Sequence, residues 1–530
     1  MNRYPQTVGR PYYLPPGPPE HVQNQAKLLQ DRRDPDGAMA VHKRAERLCR
    51  KLGNKEGLSY SLGSQALILQ RRGDLDRAMA LHKEAENLYG ELGNRDGVAL
   101  SLRNQAKLLQ ERRDLGRALE LLALIFFALR AEAQQLNFVP FNSSGIYRLG
   151  EKARWTVSPA QGEAAPVTKY PYEIKKNNLD RINSGTLCFV SGRATIEATL
   201  EEPAMLYVTV SAEGATPASA VHLGAAIAPA QLRPSVPRPA DFDSFWDSKL
   251  QALSLIPLNP VATPVATRED VELLRIQVDG WGSRAHGYLA KPAKQGKFPA
   301  LVIFQYAGVY ALRPSTVINP ATEGWLAFDV VSHDLPPEQA VGASCNYEAI
   351  GNTNRETSYF LKMYLRDARA LDYITSHPDW DGKTLVLMGT CMGGQQALVS
   401  AGLCPQVTAV IANQPSGADS NGDLHGRKAG YPYWPSHDPK VMETALYFDI
   451  VNFAPRIKAP VLASIGFIDT TSPPVGIWTV LNQIPGPKEV VTMIELDHTS
   501  RTPEKRGAFR SRAAEVLDIL LHGGQFRPNQ

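Results

Sequence analysis

The apolar positions change their period along the chain. Over residues 21–120, alanines and leucines recur at i, i+3 and i+4, as in QAKLLQ from Gln25 and AMAVHKRAERL from Ala38, which predicts amphipathic helices. Over residues 134–212, short runs such as GIYRLGEKARWTV, GTLCFVSGRATIEATL and AMLYVTVSAE alternate and are rich in Val, Thr, Tyr and Phe, which predicts a small antiparallel β-sandwich. Over residues 240–523 the apolar runs become short and nearly continuous: PALVIF (299–304), GWLAFDVV (324–331), TLVLMG (384–389), VTAVIA (407–412), PVLASIGF (460–467) and EVVTMIEL (489–496). Helical stretches such as YFLKMYLRDARALDYITSH separate them. Buried strands alternating with helices predict a mostly parallel sheet covered on both faces. The chain therefore reads as multidomain.

The helical part repeats. NQAKLLQ from Asn24 recurs as SQALILQ from Ser64 and as NQAKLLQ from Asn104, a period of 40 residues, with AMAVHKRAERLCRKLGNKEG and AMALHKEAENLYGELGNRDG between the copies. Two helices at such a period predict an α-solenoid. Residues 21–120 resemble tetratricopeptide repeats, which implies a protein or peptide partner on a concave face; a spacer or oligomerisation role stands equally beside it. The third copy fails after Asp114-Leu115-Gly116-Arg117: HKEAENL is replaced by the apolar run Leu121–Leu129, followed by Ala131-Glu132-Ala133. Residues 121–133 thus read either as a capping helix or as a signal-like segment, too short to span a bilayer. As written the chain has no N-terminal signal and reads as cytoplasmic. If 119–133 marks the true start of the catalytic part, the reading becomes secreted or periplasmic.

Composition adds exclusions. With 530 residues the chain is too long for one core. A formal net charge of +4 gives no reason to expect nucleic acid or membrane as a partner. The five cysteines, Cys49, Cys188, Cys345, Cys391 and Cys404, form no CxxC pair, so neither a zinc site nor a disulfide framework is expected. Residues 1–20 are Pro-rich and read as disordered. The segment 134–212 resembles an immunoglobulin-like sandwich and carries no catalytic constellation. Residues 213–239 (ATPASA, APAQLRPSVPRP) read as an Ala/Pro-rich linker.

The chemistry is carried by TLVLMGTCMGGQQALVSAGL, a strand, a sharp turn and a helix. Gly389-Thr390-Cys391-Met392-Gly393-Gly394 fits a nucleophile elbow, in which small neighbours let a strained residue project above the sheet at a helix N-terminus. Cys391 is the candidate nucleophile, and the Met392 N–H a candidate oxyanion donor. An α/β-hydrolase needs an acid and then a histidine further along. Asp469 follows PVLASIGF and His498 follows EVVTMIEL, both just past strand ends. The backbone N–H of Tyr306, after PALVIF, is the second oxyanion candidate. Asp497, beside His498, is a weaker acid candidate. His333 and His377 read as structural, and His425 lies in the loop SNGDLHGRKAGYPYWP, which could overhang the site. No HExxH, paired-carboxylate or Walker motif is present, so neither metal nor nucleotide chemistry is expected.

From about Pro239 to His522 the sequence resembles acetyl xylan esterases and cephalosporin C deacetylases. The blocks are PADFDSFW, GYLAKP, RDARALDYITSHPDWD, YFDIVNFAPRIKAPVL, GFIDTTSPP and NQIPGPKEVV, in order. The resemblance implies deacetylation of acetylated sugars or small acetyl esters, an acyl-enzyme intermediate, no cofactor and frequent homo-oligomerisation. It places Cys391, Asp469 and His498 in a triad. Two departures stand out. The family elbow G-x-S-Q-G-G has become G-T-Cys391-Met392-G-G, and the family's His-Gly-Tyr has become Phe304-Gln305-Tyr306. Cysteine at that position also resembles dienelactone hydrolases, so a lactone or thioester hydrolase is a second reading. A catalytically weak scaffold, whose repeats bind a protein, is a third.

Overall fold

A computed structural model describes residues 35–92, 94–111, 114, 136–159, 169–213, 219–267, 270–340, 346–500 and 503–529. The Pro-rich segment 1–20, the first NQAKLLQ copy and the apolar run 121–133 lie outside the described residues. Four helices, α1 (Pro35–Leu52), α2 (Lys55–Arg71), α3 (Leu75–Glu91) and α4 (Arg95–Glu111), belong to one compact unit. Their side-chain pairs recur at the sequence period. Gln65 donates to Glu46 at 2.8 Å, and Gln105 to Glu86 at 2.6 Å. Asn54 accepts from the Gly57 N–H and Asn94 from that of Gly97, which satisfies an orphan donor at each helix start. His42 and His82, also 40 apart, are both buried, and burial lowers each to about 4.

Residues Leu136–Ser211 and Val221–Gln530 form a second compact unit. It begins with a small β domain: β1 (Leu136–Pro140), β2 (Ile146–Tyr147), β3 (Ala153–Pro159), β4 (Pro171–Lys176), β5 (Asp180–Thr186), β6 (Ala194–Ala198), β7 (Ala204–Val210) and β8 (Val221–Ile227). One sheet has the order β1-β3-β6, the other β2-β8-β7-β4-β5. Alternation does what the sequence pattern implied: Ala153, Trp155 and Val157 are buried in β3, and Ala204, Leu206 and Val208 in β7.

The expected linker 213–239 is corrected here. Its residues Val221–Ile227 are strand β8, paired antiparallel with β7 from Val210↔Val221 to Ala204↔Ile227. The small residues that read as linker composition are there because β8 lies hard against the next domain. A Cβ on Gly224 would fall 2.5 Å from Phe467 Cβ and 2.7 Å from its carbonyl oxygen. The stretch beyond β8 is also tied down. Asn482 donates to the carbonyls of Pro229 and Leu232, and Ser235 Oγ donates to Asp419 at 2.7 Å.

The large domain comprises α5 (Phe242–Ser254), β9 (Val261–Thr267), β10 (Val271–Asp279), β11 (Arg284–Pro292), β12 (Phe298–Phe304), α6 (Ser315–Glu323), β13 (Leu326–Val330), α7 (Tyr359–Ser376), β14 (Trp380–Thr390), α8 (Met392–Leu403), β15 (Ala409–Asn413), α9 (Pro439–Ala445), α10 (Ile450–Phe453), β16 (Val461–Gly466), α11 (Pro474–Gln483), β17 (Lys488–Met493) and α12 (Pro503–Leu521). Its nine-stranded sheet has the order β17-β16-β15-β14-β12-β13-β11-β10-β9. Six neighbours from β17 to β13 run parallel, and β11, β10 and β9 add antiparallel pairs at one end. The six parallel strands are the six apolar runs of the sequence. Apolar clusters fill both faces, one around Trp246, Phe328 and Phe453, the other around Trp325, Phe509 and Val516. The parallel strands end on one edge of the sheet, and the loops leaving β12, β14, β15, β16 and β17 meet there.

Candidate active site

Cys391 joins β14 to α8 with φ 58° and ψ −123°. A non-glycine residue at such angles costs about 1–3 kcal/mol and persists only where the surroundings enforce it. Here they do. Its N–H donates to the Asn413 carbonyl at 3.0 Å, and its own carbonyl accepts from Gln395 and Ser416. The glycines around it are demanded by contact: a Cβ on Gly389 would lie 2.2 Å from the Gly393 carbonyl carbon, and one on Gly393 2.3 Å from the Phe304 carbonyl oxygen. The thiol is therefore lifted above the sheet edge at the start of α8, with the residue 7% exposed. The Met392 N–H, in the first helical turn, has no intrahelical acceptor.

His498 Nδ1 lies 2.8 Å from Asp469 Oδ2. Asp469 is fully held: Oδ1 accepts from the N–H groups of Thr471 (2.9 Å) and Ser472 (2.7 Å), and Oδ2 also accepts from Gln414 Nε2 at 2.6 Å. Burial opposes a charge on His498. Hydrogen bonds to Asp469 and Cys391, together with the negative charge of both, outweigh it and push the imidazole up to about 10. With Nδ1 on the carboxylate, Nε2 is the nitrogen left for the sulfur. The structure thus brings His498 onto Asp469 and beside Cys391.

The family model described as acetyl xylan esterase matches residues 230–511. This chain belongs to the acetyl xylan esterase family. Acetyl esterase Axe7A of Xylanibacter ruminicola is 33% identical over 371 residues, covering 66% of this chain and 84% of that protein. Since that stretch is longer than everything from residue 230 to the C-terminus, the match runs back toward the small β domain. Among solved structures, an acetyl xylan esterase from Paenibacillus sp. R4 is similar at TM-score 0.48 and 23% identity, covering 54% of this chain and 98% of that one. Acetyl xylan esterase 1 from Thermoanaerobacterium sp. JW/SL YS485 gives TM-score 0.48 and 21% identity, with 55% and 97% covered. Membership makes this chain a carboxylic ester hydrolase of the deacetylase kind.

On the far side of Cys391 this acetyl xylan esterase family member departs from expectation. The Tyr306 N–H, expected at the oxyanion, donates to the Tyr310 hydroxyl at 3.1 Å, and the two rings stack 4.4 Å apart. The donor is engaged by a phenol, because the half-buried Tyr310 is stacked against the Tyr306 ring. The Met392 sulfur sits under two phenols: Tyr431 at 3.2 Å and Tyr347 at 3.4 Å, themselves bonded at 2.6 Å. Burial pushes Tyr347 up to about 12, so it stays a neutral donor. Gln305 is locked by the Tyr310 carbonyl and the Ser332 N–H, and Gln396 holds its carbonyl at 2.8 Å.

His333 is buried and neutral, lowered to about 4 by that burial. Its Nε2 faces the Gly308 carbonyl at 3.1 Å and its Nδ1 the Tyr359 hydroxyl at 2.6 Å, so it braces the Tyr306 loop. His377 accepts from the Asp379 N–H in the turn before β14. His425 is exposed in the turn Gly422–His425. Asp497 accepts from the N–H groups of Thr499 and Ser500 and pins the His498 loop instead of touching the imidazole. Among the described residues no cluster of three or more His, Cys, Asp or Glu could hold a metal, and no helix is long and apolar enough to cross a membrane.

The residue that sequence reasoning missed is Gln414. It lies just past β15 with φ 43°, and its amide joins Asp469 to the Asp497 carbonyl. Its one signal was position: a polar residue right after a parallel strand, on the edge where catalytic groups gather.

Proposed function

We propose that this chain removes acetyl groups from sugars or similar small alcohols through an acyl-thioester on Cys391. The observation that carries it is the row Cys391–His498–Asp469, with His498 beside Cys391 and bonded to Asp469, itself fixed by four hydrogen bonds. The thiol proton passes to His498 Nε2 first, and sulfur then attacks the acetyl carbonyl as the thiolate. The oxyanion meets the Met392 N–H, and the Tyr306 N–H once Tyr310 yields it. Collapse expels the alkoxide, which receives its proton from His498. Water, activated by the same imidazole, then hydrolyses the thioester. Deacylation is the slow step in this reading, and the acetyl-enzyme accumulates.

The test is p-nitrophenyl acetate and acetylated xylooligosaccharide hydrolysis by the parent, Cys391→Ser and Cys391→Ala, with mass analysis of the acid-quenched protein. The expected result is a burst of p-nitrophenol and an acetyl group on the peptide bearing Cys391, both missing from the alanine variant. Hydrolysis undiminished in Cys391→Ala would sink the reading. The cysteine itself favours a second reading, a lactone or thioester hydrolase. Preferential turnover of an enol lactone, lost in Cys391→Ser, would select it.

A further inference from the structure

The small β domain touches the loops that build the site at several places, and two of them matter here. The first is Gly224 of β8, whose bare Cα face meets the backbone of Phe467, two residues before Asp469. Tyr207 and His222 flank it on the same sheet face, half-buried, with rings 5.2 Å apart. Burial and the charges of Asp497 and Asp469 push Tyr207 up to about 12, in keeping with a position near the acid–histidine loops.

The second is Asn177, in the turn between β4 and β5, 6% exposed with φ 51°. All four of its polar groups are engaged. Toward its own domain, its N–H donates to the Met205 carbonyl (2.7 Å), and Oδ1 accepts from the Met205 N–H (2.9 Å). Toward the catalytic domain, its carbonyl accepts from the Lys428 N–H (3.0 Å), and Nδ2 donates to the Gly426 carbonyl (3.2 Å). Gly426 and Lys428 are the tip of the loop 419–434, which brings Tyr431 onto the Met392 sulfur. The stem of that loop has other anchors: Asp419 bonds Ser235 and Arg427, Arg427 also reaches the Arg233 carbonyl, and the Tyr431 N–H donates to Thr471. The tip turns Leu424 outward, and Tyr433 lies beyond it, at 55% and 57% exposure. Flat apolar surface of this kind suits the C–H face of a sugar ring.

We infer that the small β domain is a working part of the esterase site, with Asn177 the positioning residue that holds the tip of loop 419–434 where the alcohol portion of a bulky substrate lies. The kinetic form of this rests on the esterase reading above. Asn177 touches no reacting atom. Its loss frees the loop tip and leaves the Cys391–His498–Asp469 row intact, so capture of a large alcohol suffers while acyl transfer from a small ester does not.

Asn177→Asp isolates the contact. It keeps the acceptor for Met205 and tolerates the positive φ, but it replaces the donor to Gly426 with an oxygen. Asn177→Gly keeps the backbone bonds and removes both side-chain bonds, and it serves if the aspartate chain folds poorly. In the full chain, KM for acetylated xylooligosaccharide should rise about fivefold, the effect of one hydrogen bond, while kcat on p-nitrophenyl acetate stays within about twofold. Iodoacetamide labelling of Cys391, which needs no ester activity, should quicken by a similar factor as the Tyr431 cover loosens. An unchanged ratio of the two substrates' kcat/KM together with an unchanged labelling rate would overturn the inference. So would a lower melting temperature with both substrates impaired equally. If the parent cleaves neither ester, the esterase reading fails, and the labelling rate alone decides for Asn177.

Discussion

On the Asp469 flank of Cys391, four hydrogen bonds fix the carboxylate and the imidazole is aimed by it. On the Tyr306 flank, one backbone donor is spent on a phenol and the helix's first residue is a methionine beneath two more. The flank that would move protons in the proposed mechanism is built to hold one arrangement. The flank that would meet developing negative charge in that mechanism has to give up the Tyr310 bond before the Tyr306 N–H is free. Both departures from the family pattern, Met392 and Phe304-Gln305-Tyr306, fall on the second flank. The longer C–S bond of a thiol nucleophile carries the oxyanion farther from its donors than an alkoxide would. Replacing serine by cysteine therefore alters what the Tyr306 side must do and leaves the Asp469 side nearly as it was.

The comparison breaks outright if the sulfur is not the nucleophile. Cys391→Ala should cost about a thousandfold or more in kcat/KM on p-nitrophenyl acetate, since removing a member of a cooperating row removes most of what the row supplies. Cys391→Ser should lose less, because the Asp469 flank serves either atom. A serine variant as dead as the alanine one would mean that flank is tuned to sulfur after all.

Gln414 tests the rigid flank more finely. Gln414→Ala removes one hydrogen bond to an ionised carboxylate and leaves a gap beside Gly466. The loss should be about tenfold to a hundredfold in kcat with KM nearly unchanged, as expected for a bond worth about 1.5–3 kcal/mol to a charged group. A change confined to KM would show that Gln414 shapes the substrate pocket instead of orienting Asp469.

The loose flank should answer with the opposite sign. Tyr310→Phe leaves the ring stacked on Tyr306 but removes the oxygen that occupies the Tyr306 N–H. The donor is then free for the oxyanion, and kcat should rise about fivefold, the release of one neutral hydrogen bond. A fall in kcat would mean that Tyr310 itself serves the reaction.

How far the sequence reveals these two flanks follows from how each is encoded. Gly389, Gly393 and Gly394 are forced by contacts of the elbow with its own strand and the Phe304 loop, so the turn announces itself locally. Asp469 and His498 each follow a long apolar strand, and strand order alone brings them to one edge. The six parallel strands were legible because burial on both faces makes them continuous apolar runs. The antiparallel strands β9, β10 and β11 were not, since they carry mixed polar residues at one end of the sheet. Gln414 and Asn177 act through side-chain amides across long sequence separations, in turns whose composition looks like any loop. Strand β8 was taken for linker because Gly224 is there for closeness to Phe467, and closeness between domains leaves no periodic trace.

The subtlest expectation concerns whether the rigid flank depends on the sulfur beside it. His498 stands at about 10 in the folded chain against an ordinary 6.5. The folded state thus holds this proton more tightly than the unfolded one. The stabilisation is complete below about pH 6.5 and disappears as pH rises through about 10. Asp469 supplies one hydrogen bond and one charge toward that rise, and Cys391 the other pair. In Cys391→Ala the Asp469 share remains and the sulfur's share is gone, so the folded value moves down and the loss of stability is complete at lower pH. Melting temperatures of the parent and the variant should differ most below about pH 6.5, where the parent holds the sulfur's share in full, and the gap should close as pH climbs toward about 10; an NMR titration of the His498 ring gives the same shift directly. Superimposable curves would mean that Asp469 alone holds the imidazolium, and that the proton-moving flank is finished before the nucleophile is added to it.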